Sequence, residues 1–159
     1  MDPATIAASL AARLGPLLAG LDASARPAFL ACLERTAGER YDGWAAGAET
    51  PADAALLRAC AERERTIARR VEEQFPVDAR QTAAYEALVP DAKRTYGDAF
   101  TGLSRAEAFT VQATLERAGA AAWRSFAAAE SDPRRRAILL ECATLEEASA
   151  DVLDQMRGA

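Results

Sequence analysis

The chain has 159 residues, half of them apolar and only 6% aromatic, with a net charge of −5 and a pI near 4.9. That length suits one domain with a sizeable core, and the acidity speaks against nucleic acid as a partner, because phosphate binding needs a basic surface. The chain has no histidine, which removes serine–histidine triads, cysteine–histidine dyads, histidine general bases and ordinary zinc sites together.

No segment shows the alternating, β-branched pattern of a strand, and the good helix formers Ala, Leu, Arg and Glu dominate. The expected class is all-α. A first helix is predicted over 3–14, with Gly15-Pro16 bending or ending it. Asp22 or Ser24 then caps a long helix that tolerates Pro27 in its first turn and runs to about 48. Thr50 caps a second long helix, which starts at Pro51 and continues to about 75. Residues 76–103 form a crossover broken by Pro90, Gly97 and Gly102, with short helices over 79–88 and 91–100. Ser104 caps a third long helix to about 130, and Asp132 caps a fourth, from Pro133 to about 156. Turns of a few residues make each pair an antiparallel hairpin. Two hairpins and one long crossover predict a four-helix bundle, with the whole chain, 1–159, as its single domain.

The hairpins repeat. Residues 20–74 laid over 102–156 without a gap match at 15 of 55 positions, six of them Ala–Ala. The other nine are Gly20/Gly102, Leu21/Leu103, Leu33/Leu115, Glu34/Glu116, Arg35/Arg117, Pro51/Pro133, Leu57/Leu139, Cys60/Cys142 and Glu64/Glu146. Helical 3-4 spacing puts one glutamate in each apolar seam. The seams read Leu30, Glu34, Ala37, Tyr41; Leu57, Cys60, Glu64, Ile67; Phe109, Ala113, Glu116, Ala120; and Leu139, Cys142, Glu146, Ser149. Four carboxylates are thereby expected mid-bundle, with no Lys or Arg on any seam to pair them. Arg35 and Arg117 point about 100° away and belong to the rim. An unpaired buried carboxylate costs several kcal/mol or takes up a proton. The cluster is therefore satisfied by bound cations, by shared protons and water, or by hydrogen bonds from Tyr41, Ser149, Gln112 and the cysteines.

The first helix of each pair carries Glu34…Tyr41…Trp44-Ala45 and Glu116…Trp123…Phe126-Ala127. This pattern resembles the Glu-x6-aromatic-x2-aromatic-Ala segment of the ferritin-like superfamily, especially its rubrerythrin-type di-iron carboxylate bundles. The resemblance covers about residues 20–156. It implies Glu34, Glu64, Glu116 and Glu146 as metal ligands and iron oxidation, peroxide reduction or oxygen activation as the chemistry. The chain departs from that family where histidine should follow Glu64 and Glu146 by three residues: it has Ile67 and Ser149. An all-oxygen site favours hard ions such as manganese, magnesium, calcium or ferrous iron over zinc or copper. The expected function is thus a histidine-free carboxylate metal site, binding or oxidising iron or manganese, with no organic cofactor. Its alternative is a vestigial, metal-free bundle acting as a dimerising or partner-binding module. No particular reaction or protein partner is legible.

Three cysteines without C-x-x-C spacing form neither a disulfide framework nor a structural zinc site. Cys60 and Cys142 read as small core residues. The acidic start, Met1-Asp2-Pro3, is not a secretory signal, and no run approaches the roughly 20 apolar residues of a membrane span. A cytoplasmic protein with no membrane partner is expected. Ile6, Leu10, Leu14, Leu17 and Leu18 give the first helix an apolar side that either covers the bundle or forms a homodimer contact. Glu147 and Asp151 read as a solvent face, as do the basic runs Arg69-Arg70 and Arg134–Arg136. Trp44, Trp123 and Phe126 are expected to be largely buried.

Overall fold

The structure, a computed structural model, describes residues 3–158. Among these it contains helices and no strand. In chain order they are α1 (Pro3–Ala19), a 3-10 turn (Ala23–Ala25), α2 (Arg26–Ala46), α3 (Pro51–Gln74), α4 (Ala79–Glu86), α5 (Val89–Asp98), α6 (Arg105–Ala129) and α7 (Pro133–Gly158). None of the described helices is long and apolar enough to cross a membrane.

Several helix starts follow the expected chemistry. Thr50 accepts the Asp53 amide at 3.0 Å. Ser104 and Glu107 close a capping box on α6, and Asp132 accepts the amides of Arg134 and Arg135 at the start of α7. The start of α2 differs. Asp22 precedes the 3-10 turn without a side-chain cap, and α2 begins at Arg26 with Pro27 in its first turn. Asp22 and Ser24 instead reach the crossover, where Asp22 accepts from Arg80 at 2.6 Å and Ser24 from Gln81 at 2.7 Å. Gly15-Pro16 does not end the first helix, since α1 runs on to Ala19 with Pro16 inside it. Pro16 is exposed, so the carbonyl its ring leaves unbonded can face water, which lowers the cost of an interior proline. Pro90 sits in the first turn of α5, just after the break that separates the two short helices of the crossover.

The turn at 47–50 folds α3 back along α2, and 130–132 folds α7 back along α6; the two pairs meet where α3 packs on α7. α1 lies on α6 and α5, so its apolar side covers the fold, with Leu10 only 2% exposed. Arg13 ties α1 to α5 through Thr95 Oγ1 at 3.2 Å.

Each long helix contributes to two apolar clusters, one before its glutamate and one after. Ala31 of α2, Ile67 and Val71 of α3 with Phe75 just past its end, Ala120 and Trp123 of α6, and Leu139 and Cys142 of α7 belong to one cluster. Tyr41, Leu57, Cys60, Phe109, Ala113 and Leu153 belong to the other. The chain passes from the first cluster to the second in α2 and α7, and from the second to the first in α3 and α6. α3 and α6 therefore run in the same direction, and residues 75–104 return the chain along the length of the fold. The glutamates occupy the layer between the clusters.

Candidate metal centre

The layer is built from one carboxylate per long helix. Glu34 is 7% exposed, Glu64 0%, Glu116 2% and Glu146 1%. Oxygens of Glu34, Glu64 and Glu146, from α2, α3 and α7, lie within 4.8 Å of one another. Glu116 lies beside this trio and is held by neutral donors: the Tyr41 hydroxyl at 2.7 Å and Gln112 Nε2 at 2.6 Å both donate to its Oε1. Trp123 Nε1 donates to Glu146 Oε1 at 2.9 Å, and Ser149 Oγ donates to Glu64 Oε1 at 2.9 Å. The donors foreseen at Tyr41, Gln112 and Ser149 are thus engaged. Ile67, at the other position where a histidine was missing, is fully buried in the apolar layer.

Glu64 Oε2 is the exception. Among the described residues it is buried without a hydrogen-bond partner. An orphaned carboxylate oxygen costs about 1–3 kcal/mol or more unless something occupies its lone pairs. Burial, with the charge of Glu116 beside it, pushes the Glu34 carboxyl up to about 8. Burial first, then the neighbouring glutamates, holds Glu64 and Glu146 well above the ordinary carboxylate range. The Tyr41 hydroxyl is also raised well above its usual value by burial and by Glu116. Without a cation Glu34, Glu64 and Glu146 thus retain protons.

The rim expectations hold. Arg35 pairs with Glu72, while Arg117 reaches Asp154 at 2.6 Å and Asp151 at 3.5 Å. Glu147 pairs with Arg124 at 2.8 Å on the same outer side. Cys60 and Cys142 are buried thiols that burial pushes up to about 11 and about 12, and they lie in the apolar clusters. They read as packing rather than ligands. The aromatic expectation needs correction in part. Trp123 is fully buried, but Trp44 and Phe126 are half-buried. Tyr41 with Ala45, and Trp123 with Ala127, fill the seam at four-residue spacing, leaving the ring three positions on at the flank.

Two features of the site were missed in sequence. Gly119 gives the Glu146 carboxylate its room, since a Cβ there would lie 2.7 Å from Glu146 Oε1. The signal available was a glycine in mid-helix, which costs about 1 kcal/mol relative to alanine and wants a reason. Arg40 is the second: its guanidinium donates to Gln112 Oε1 at 3.1 Å and lies over the rings of Tyr96 and Phe100. Gln112 thereby links Arg40 to Glu116, a tie across α2, α5 and α6 that no local pattern announces.

Comparison with family models, curated proteins and solved structures finds no match to this chain.

Proposed function

We propose that the chain is a ferritin-like four-helix bundle, made of two repeated hairpins, whose buried glutamates bind iron or manganese. The observation that supports this best is the trio Glu34, Glu64 and Glu146, with oxygens within 4.8 Å and one of them, Glu64 Oε2, buried and unpartnered. The residues fit a cation. Gly119 leaves the space that Glu146 occupies, and Ser149 and Trp123 orient Glu64 and Glu146 from outside, as supporting donors do around metal ligands. Glu34, Glu64 and Glu146 would be the ligands, with Glu116 completing the set. Two divalent cations would balance four carboxylates. A bound ion would supply Lewis acidity or, for iron and manganese, redox chemistry; the protein contributes an all-oxygen donor set suited to hard ions. This setting fits a cytoplasmic protein whose thiols stay reduced.

Elemental analysis of protein purified without chelator, paired with thermal melts in Mn(II) and Fe(II), tests the reading. Bound metal and a melting temperature that rises with ion concentration are expected, because the ion binds the folded state. Glu64→Ala and Glu146→Ala should abolish the rise. No bound metal, and melts unmoved by every divalent ion, would overturn the reading. A metal-free bundle used for dimerisation or partner binding would then stand in its place, with Tyr41, Gln112, Trp123 and Ser149 as the donors to its carboxyls.

A further inference from the structure

Three of the four carboxylates also line an apolar cavity. α6 packs on α7 and α1 rather than closely on α2, and the space left between α1, α2 and α6 is a cavity of about 210 Å³. Its walls are apolar: Leu10, Leu14 and Leu18 of α1, Phe29 and Leu33 of α2, and Leu115 of α6. Glu34, Glu116 and Glu146 also line it, together with Tyr96 and Gln112, so the polar groups converge on the glutamate layer. An apolar pocket with a few convergent polar groups is the usual form of a small-molecule site.

We propose that this cavity binds a short, unbranched aliphatic alcohol, with its chain between α1 and α6 and its hydroxyl against Glu34 and Glu116. The size follows from the volume. An apolar cavity of about 150 Å³ accepts benzene, a six-carbon molecule, so this one suits about eight carbons. The head group follows from the lining. A hydroxyl donates to a carboxylate and also offers lone pairs to a neighbouring ion, so it fits the site with or without metal. A carboxylate head would meet three acidic side chains. An ammonium head would lose its partners once cations neutralised them.

That the cavity binds such a chain rests on the pocket itself; the preference for a hydroxyl over an ammonium head rests on the proposed metal site. The test is calorimetric titration of the full chain, prepared metal-free and again with Mn(II), using hexan-1-ol, octan-1-ol, dodecan-1-ol and octanoate. Affinity should rise about fourfold per methylene from six to eight carbons, matching the ~0.8 kcal/mol of a buried CH₂. It should then fail to rise, or drop, at twelve carbons. Octanoate should bind the metal-free protein at least tenfold more weakly than octan-1-ol. Ala118→Phe and Ala122→Phe each place a ring in the lining of the cavity, and each should cut octan-1-ol affinity at least tenfold while the helical circular dichroism signal persists. Alcohol binding that survives in a protein shown to bind no metal would retain the pocket and remove only the proposed metal site beside it. Affinity that rises steadily to twelve carbons, octanoate binding as well as octan-1-ol to metal-free protein, no alcohol binding, or binding unaffected in both folded variants would overturn the proposal.

Discussion

Gly119 and Glu146 face one another across the α6–α7 contact so closely that a methyl group on residue 119 would lie 2.7 Å from Glu146 Oε1 and 3.1 Å from its Oε2. The same Oε1 receives the Trp123 indole N–H at 2.9 Å. A backbone without a side chain thus sets where this carboxylate can sit, and the clash would fall on the free end of a flexible side chain. Gly119→Ala should therefore separate folding from site geometry. Helix propensity favours alanine by about 1 kcal/mol, and moving the carboxylate costs some or all of that. Urea unfolding should shift by no more than about 1 kcal/mol, while the metal-dependent rise in melting temperature falls sharply. An unchanged metal response would show that the Glu146 position does not matter to binding.

Among the described residues Ser149 is the only side chain that donates a hydrogen bond to Glu64, whose other oxygen is already orphaned. Ser149→Ala would leave the whole carboxyl unsatisfied in a fully buried position. The expected cost in metal-free protein is about 1–3 kcal/mol, read by urea denaturation. In the background of Glu64→Leu, which removes the group needing the donor, the same substitution should cost much less. Equal costs in both backgrounds would assign Ser149 a packing role alone.

The glutamate layer was legible because the ungapped repeat placed Glu34/Glu116 and Glu64/Glu146 at matched points of apolar seams, and burial of all four follows from that pattern. What surrounds them was not symmetrical, so a repeat could not foretell it. Leu30 stands where the second half has Gln112, and Ile67 where it has Ser149, so the second half supplies donors that the first lacks. Tyr41 reaches across to Glu116, while its counterpart Trp123 reaches Glu146 within its own hairpin. The cover of the site was also hidden. Arg40 lies on Tyr96 and Phe100 because residues 75–104 lead the chain back along the fold, and seam spacing says nothing of where a crossover lands.

Trp123 is fully buried in the apolar cluster on one side of the layer and also orients Glu146. Trp123→Ala should cost about 3–5 kcal/mol, as deleting a core aromatic does. Trp123→Phe keeps most of the packing and removes the N–H, so its cost should fall to about 1–2 kcal/mol. Trp44 is half-buried against Tyr41, Phe100 and Phe109, so Trp44→Ala should cost less than Trp123→Ala. Denaturant midpoints that reverse this order would show the two rings to be misplaced.

The pH dependence of stability between about 5 and 8 should be lost when metal is added. In the metal-free protein Glu34 is raised from an ordinary value of 4.5 to about 8, and Glu64 and Glu146 are raised as well. Between those limits the folded chain holds protons that the unfolded chain has released. Stability then falls as pH rises from about 5 to 8, by up to ~1.4 kcal/mol per pH unit for each group inside its window. Below about 4 the trend should reverse, because Asp132 accepts two amides at the start of α7 and its carboxyl is lowered. Glu34→Gln removes one of the raised groups and should flatten the slope between pH 5 and 8 without abolishing it. With saturating Mn(II) the ion displaces those protons, so neither the folded nor the unfolded chain exchanges them over most of this range and the slope should flatten toward zero. Melts of metal-free and Mn(II)-loaded protein at pH 5, 6, 7 and 8 measure both slopes. A metal-free protein that gains stability toward pH 8 would mean that the four carboxylates are solvated rather than confined. Parallel slopes with and without Mn(II) would mean that the ion binds elsewhere.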